Sequence, residues 1–234
     1  MLQMLRSLVR TPRSYSQFGE DLILWRALRF VWRGFYIDVG AMDPEKESVT
    51  KLFYDLGWSG INIEPRPQAL ASFLDKRRRD INLECAIASQ SSSLAITEFG
   101  ECEGLSTAVP AIADSWLERG LTGRTFEVPC KTLSEVCRSA PRDIHFLKID
   151  VEGAELDVIQ SCDFTAYRPW ILAIESTVPG TYIDAHEEWE PLVLGAGYEF
   201  ALFHQINRYY VARERCALAP RIKPPLVTQP SISF

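Results

Sequence analysis

The sequence predicts an α/β fold: a mostly parallel sheet with helices on both faces and an antiparallel hairpin at its C-terminal edge. Three observations predict it. Short apolar runs alternate with helical stretches through most of the chain, the pattern of repeated strand, helix and strand units. The run Phe35-Tyr36-Ile37-Asp38-Val39 breaks at Gly40, and a second, Ile61-Asn62-Ile63, ends on the carboxylate of Glu64. Buried parallel strands look like this when a ligand collects beyond their carboxyl ends. Two late runs, Tyr198 to Phe203 and Asn207 to Val211, flank Gln205-Ile206 and read as a hairpin. At 234 residues and 47% apolar, the chain can bury a sizeable core and is most simply one domain.

The elements follow in order. Ser14 or Ser16 is placed to cap a helix whose apolar face is Leu22, Ile23, Leu24, Ala27, Leu28 and Val31. Strand one covers 35–39, a helix runs from Ser48 to Leu56, and the glycines at 57 and 60 turn the chain into strand two at 61–64. A helix after Pro67 ends in Lys76-Arg77-Arg78-Arg79, a solvated face of cations that suits a helix C-terminus. Residues 82–87 form strand three, and 94–99 an additional strand or hairpin arm. The polar stretch 100–123, with a short helix at 111–119, reads as an insertion over the cleft, and Glu101 with residues 103–107 as a lid over the acceptor. Strands at 126–130, 144–150 and 170–175 alternate with helices at 132–138, 154–160 and 186–194. Residues 1–13 are read as an N-terminal extension, 14–212 as the body, and the proline-rich 213–234 as a flexible tail.

Bulk properties exclude several classes. A net charge of −6 gives no general attraction for nucleic acid. The six cysteines form no C-x-x-C pair, which argues against zinc and disulfide frameworks and for reduced core thiols in a cytoplasmic protein. Charge interrupts Met1 to Arg10 before a signal-peptide core can form. That segment reads as a helix that frays or docks on the body, with peripheral membrane contact as the alternative.

The glycine turn carries the ligand chemistry. A dinucleotide site wants three glycines so that pyrophosphate can touch main chain. Here the turn is Gly40-Ala41-Met42-Asp43-Pro44-Glu45-Lys46-Glu47, whose acids repel phosphate and welcome a cation. Glu64, at the tip of the neighbouring strand, stands where ribose hydroxyls would donate. A ligand with a ribose, no phosphate and a positive centre is S-adenosylmethionine. Asp38 is the anchor of the turn and a candidate partner for the ligand's ammonium. Asp150 and Glu152 follow a buried strand, with Gly153 freeing the backbone, and Glu175 ends the next strand, so these three are the acids facing cofactor and acceptor. They are also a conceivable divalent-metal set, which the sequence leaves open. Of the three histidines, His145 reads as core and His204 as solvated. His186, after the polar loop that follows Glu175, is the imidazole placed to act as a base. Asn207-Arg208-Tyr209-Tyr210 reads either as a sugar platform or as a plain edge strand.

Five motifs, Tyr15-Ser16-Gln17-Phe18-Gly19-Glu20-Asp21, Ile37-Asp38-Val39-Gly40-Ala41, Ile63-Glu64-Pro65, Val128-Pro129-Cys130-Lys131-Thr132-Leu133 and Phe146-Leu147-Lys148-Ile149-Asp150-Val151-Glu152-Gly153-Ala154-Glu155, resemble the FkbM-family S-adenosylmethionine-dependent methyltransferases. The last is the most specific, and the likeness covers roughly 14–212. The chain departs from the commoner family turn, which has a second glycine where Asp43-Pro44 stand. The resemblance implies a Rossmann-like, seven-stranded class I methyltransferase sheet and methyl transfer to oxygen. It implies a small-molecule or glycan acceptor, such as a sugar hydroxyl of a polysaccharide, glycolipid or glycosylated natural product. The residues read as the cofactor site are Gln17, Asp38, Gly40, Ala41, Ser48, Glu64, Pro65, Ala86 and Asp150, and the catalytic set is drawn from Asp150, Glu152, His186 and Glu175. The competing readings are another hydroxyl or amine acceptor, a non-catalytic cofactor-binding partner, and a nicotinamide oxidoreductase. An amine or nucleic-acid acceptor is disfavoured because the usual Asn/Asp-Pro-Pro-Tyr/Phe loop is replaced by Asp150-Val151-Glu152-Gly153.

Overall fold

Strand β1 (Phe35–Val39) lies inside the sheet, apolar on both faces except at Asp38, and all its residues but Phe35 are buried. In this computed structural model, which describes residues 12–90, 92–100 and 103–225, it pairs in parallel with β2 (Ser59–Ile63) on one side and β7 (Phe146–Ile149) on the other. Outward lie β3 (Ile81–Leu83) beside β2, and β8 (Ile171–Glu175) beside β7. The sheet is completed by β10 (Asn207–Ala212), antiparallel to β8, and β9 (Tyr198–His204), antiparallel to β10. The order β3-β2-β1-β7-β8-β10-β9 gives seven strands, five parallel and a terminal hairpin, the expected Rossmann-like class I methyltransferase architecture.

Side chains alternate across the sheet, so two cores form. Ile37, Val39, Leu147, Ile149, Leu172, Ile174 and Tyr210 fill one. Tyr36, Phe146, Ile171, Ala173, Tyr209 and Val211 fill the other, against helices α1 (Glu20–Leu28) and α2 (Lys51–Asp55). Helix α3 (Pro67–Lys76) follows β2. The run expected as strand three divides after Leu83: Ala86–Ile87 turns away as β4 and joins β6 (Gly123–Lys131) and β5 (Ser93–Phe99) in a second sheet of three strands. Between β5 and β6 lies the insertion, with α4 (Pro110–Glu118) packing Ala113 and Trp116 inward. The remaining helices are α5 (Leu133–Cys137), α6 (Glu155–Gln160) and α7 (Glu190–Gly195); α7 begins four residues later than expected, because 187–189 form a turn.

Three further expectations are corrected. Neither Ser14 nor Ser16 caps α1; Gly19 stands at its N-cap, and both hydroxyls donate to the Asp21 carboxylate at 2.7 and 2.8 Å. A fully buried carboxylate needs donors, and the Tyr15 and Leu22 amides supply two more. Residues 213–225 are not a loose tail: 3-10 turns over Arg213–Arg221 pack on α1 and bury Leu218 and Ile222. Arg77 is not solvated, as described below. The N-terminal segment through residue 11, Glu101 and the last nine residues lie outside the described residues. No described helix is long and apolar enough to cross a membrane.

Candidate functional site

The carboxyl ends of β1, β2, β7 and β8 open into one cleft of about 900 Å³. Its walls come from the arm before α1, the loop after β1, the second sheet, the insertion, and the loop after β8. The cleft gathers Gln17, Asp38, Gly40, Ala41, Glu64, Pro65, Ala86, Asp150, Glu152 and Glu175. Two of the expected residues do not line it: Ser48 and His186.

Gly40 shapes the bend after β1. Its φ is +74°, and a Cβ there would stand 1.8 Å from the Asp150 carbonyl oxygen, so only glycine lets these two strand ends meet. The Gly40 and Ala41 amides both donate to the Ile63 carbonyl at 3.1 Å, which ties the bend to the end of β2. At that end, Glu64 is buried, and each carboxylate oxygen is oriented. One accepts the Met42 amide at 2.8 Å; the other accepts the Arg66 amide and Nε at 3.0 and 2.8 Å.

The acidic turn divides. Asp43 accepts the Glu45 and Lys46 amides, and Glu45 pairs with Lys76 at the surface, so neither lines the cleft. Of the three acids, Glu47 lines the cleft. Arg77, at the end of α3, is buried under this loop. It donates to the Pro44 carbonyl through Nε at 3.0 Å and to Ser48 Oγ at 3.0 Å, and lies over the Tyr54 ring. Its guanidinium, 3.9 Å from Asp80, braces the turn from behind, and Ser48 belongs to that brace.

The floor is organised by Lys148, which sequence reasoning passed over. Its ammonium donates to the Gly40 carbonyl at 2.6 Å and lies 3.5 Å from Asp38 and 3.3 Å from Asp150. Burial opposes the charge, but Asp150 and Asp38 outweigh it and raise the Lys148 pKa. Asp38 also accepts from Thr50 Oγ1 at 3.1 Å; burial raises its carboxyl despite Lys148. Asp38 therefore anchors the turn through Lys148.

Beyond Asp150 the chain bends sharply, with Glu152 and Gly153 both left-handed at φ +53° and +99°. Glu155 holds the bend by accepting the Val151 and Gly153 amides at 3.0 and 3.2 Å, and burial pushes its carboxyl up to about 7. Thr107 of the insertion donates to the Glu152 carbonyl at 2.7 Å. Ligand oxygens of Asp150, Glu152 and Glu175 lie within 4.8 Å of one another. Burial, then the charge of Asp150, drives the Glu152 and Glu175 carboxyls well above the usual range.

The histidines take different places from one another. His145 is core: its ring lies between Trp58 and Trp170, and Nδ1 accepts the Phe35 amide at 3.1 Å. His204 is half-buried at the cleft wall with Nε2 3.2 Å from the Phe18 carbonyl, rather than solvated. His186 packs on Trp189 and faces Glu190, Nε2 to carboxylate 3.6 Å, so the structure does not bring it to the acids. Tyr209 and Tyr210 are wholly buried and Arg208 pairs with Glu190, which excludes the 207–210 segment as a sugar platform.

A glycine bend, an acid-tipped second strand and carboxylates on the fourth and fifth parallel strands define a Rossmann-like methyltransferase. Residues 38–200 match the methyltransferase FkbM domain, and the chain belongs to that family, whose cofactor is S-adenosylmethionine. Methyltransferase sdnD of Sordaria araneosa is 29% identical over 160 residues, 59% of this chain; the chain spans 57% of that relative's length. Among solved structures, a precorrin-6y C5,15-methyltransferase from Geobacter metallireducens GS-15 aligns with a TM-score of 0.42 at 14% identity, covering 86% of this chain and 91% of its own. Trm1 from Pyrococcus horikoshii, in complex with S-adenosyl-L-methionine, aligns at 0.38 and 11%, covering 88% and 60%.

The residues present fit that cofactor. Gly40 and Ala41 bring main chain to the cleft wall, Glu64 offers an oriented carboxylate for ribose hydroxyls, and Cys85, Ala86, Ile87 and Leu94 offer an apolar wall for the base.

Proposed function

We propose that the protein is an S-adenosylmethionine-dependent O-methyltransferase acting on a hydroxyl of a sugar or glycosylated small molecule. The observation that carries this reading is the placing of Asp150, Glu152 and Glu175 together on the cleft floor, beside the glycine bend. When bound, the cofactor supplies an electrophilic methyl group and leaves as an uncharged thioether. Gly40, Glu64 and the apolar wall orient it, and most of the gain is positional. A sugar hydroxyl is a weak acid, so its oxygen gains the methyl group only as its proton departs. The carboxylates take that proton, since Glu152 and Glu175 hold one more readily than ordinary carboxyls do.

Features of the rim support a polyol acceptor. Tyr182, 64% exposed, lines the cleft, where its ring face suits the C-H face of a sugar while carboxylates accept from the sugar's hydroxyls. The excess of acid on the floor also disfavours a phosphorylated or nucleic-acid acceptor.

The test is calorimetry with S-adenosylhomocysteine, followed by turnover on a panel of glycosides. Glu64→Gln is expected to weaken binding about tenfold or more, since hydrogen bonds to charged groups contribute about 1.5–3 kcal/mol. No heat from the wild type, or undiminished binding by Glu64→Gln, overturns the reading.

A further inference from the structure

We propose that Asp150, Glu152 and Glu175 hold one hard divalent cation, of the magnesium or manganese kind, which carries the oxygen of the acceptor. The inference rests on the methyltransferase reading above and names how that site activates its substrate.

Three observations converge. One carboxylate oxygen from each residue lies within 4.8 Å of the others, a spacing that a cation bound to all three would bridge. The donors are all carboxylate oxygens, the ligands that magnesium and manganese prefer, and the open cleft leaves room for water and a substrate hydroxyl to complete an octahedral shell. Independently, Glu175 is 4% exposed, lines this cleft, and its Oε2 has no hydrogen-bond partner among the described residues. A buried carboxylate oxygen without a partner costs free energy unless a proton or cation meets it.

Among the described residues no salt bridge reaches Glu152 or Glu175, and Arg13 and Arg119, which also line the cleft, lie over the Tyr15 and Trp116 rings. Lys148 reaches Asp150 but is shared with Asp38 and the Gly40 carbonyl. Arg66 is directed to Glu64 and the Met42 carbonyl, and Arg77 to the loop at Pro44. Three carboxylates therefore face the cleft with part of one ammonium between them.

In the completed site the ion draws electron density from a bound hydroxyl, which lowers its pKa. The hydroxyl proton passes to a carboxylate oxygen turned away from the ion, the new oxygen–methyl bond forms as the sulfur–methyl bond breaks, and the sulfur keeps the bonding pair. No oxidant or further reactant is required.

The experiment is titration of the full chain with Mn²⁺, followed by electron paramagnetic resonance, in the presence of saturating S-adenosylhomocysteine. One Mn²⁺ is expected to bind, to be displaced by Mg²⁺, and to bind at least about tenfold more weakly to Glu175→Gln and to Glu152→Gln. The second variant lies in a less buried loop position and serves if the first fails to fold. A free-ion signal unchanged by the wild-type protein, or binding that neither substitution weakens, overturns the inference. Calorimetry with S-adenosylhomocysteine on the same samples separates the two failures. If that ligand binds and Mn²⁺ does not, the metal site alone is wrong; if that ligand does not bind, the methyltransferase reading is wrong.

Discussion

The Cβ position of Gly40 and the carbonyl oxygen of Asp150 are only 1.8 Å apart, so the first and fourth strands of the parallel sheet close on each other through bare main chain. The bend after β1 and the loop that carries the acids are thereby one object.

Gly40→Ala tests this. The left-handed backbone alone costs an alanine about 1–2 kcal/mol, and the clash with a backbone oxygen adds to it. The variant is expected to melt several degrees lower and to lose S-adenosylhomocysteine binding, as read by thermal shift and calorimetry. An unchanged affinity would show that the bend does not shape the ligand site.

Lys148→Met removes a buried ammonium and leaves Asp38 and Asp150 facing each other. Breaking a buried pair in this way costs about 3–5 kcal/mol. The expected result is a large fall in the denaturant midpoint at pH 7 that partly recovers in the Lys148→Met, Asp38→Asn double variant. Stability equal to wild type would mean that the ammonium does not organise the floor.

Acid sensitivity should trace to His145. Burial lowers its pKa below the ordinary 6.5; Asp143 pulls the other way and Arg215 adds to the lowering. As pH falls below about 6.5, the unfolded chain takes a proton that the folded chain resists, so this residue's contribution to stability is intact above that pH and is lost on acidification. Melting temperatures measured from pH 7.5 to 5 are expected to fall less steeply in His145→Gln than in wild type. Parallel curves would remove His145 as the source.

His186→Ala is expected to keep kcat within about twofold of wild type on the true acceptor, because its imidazole faces Glu190 and Trp189 instead of the cleft. A loss of a hundredfold or more would restore it as the base.

Much of the sheet was legible because parallel strands covered on both faces are written as unbroken apolar runs, as in Phe35 to Val39 and Ile171 to Ile174. The bend at Gly40 and the acids at strand ends were legible for a related reason: topology places those positions at one edge whatever the side chains do. Lys148 and Arg77 were not. A lysine in a strand and an arginine in a basic run look solvated until one knows which groups the fold sets beside them, and Asp38 is 110 positions from Lys148. The departure of Ala86–Ile87 into a second sheet was hidden because 82–87 is continuous in composition. His186 was over-read, since a polar loop at a strand end does not say which side of the sheet its far end reaches. The packing of Leu218 and Ile222 was masked by the prolines around them.

The two banks of the cleft are built unequally. The arm bearing Gln17 is pinned where Asp21 gathers two serine hydroxyls and two amides, so swinging it outward would strand a buried carboxylate. The opposite bank rests on Ala113, Trp116 and the Thr107 bond to Glu152. An outward shift of the insertion would therefore have to give up the Thr107 bond, which makes this bank mechanically continuous with the loop that carries Glu152.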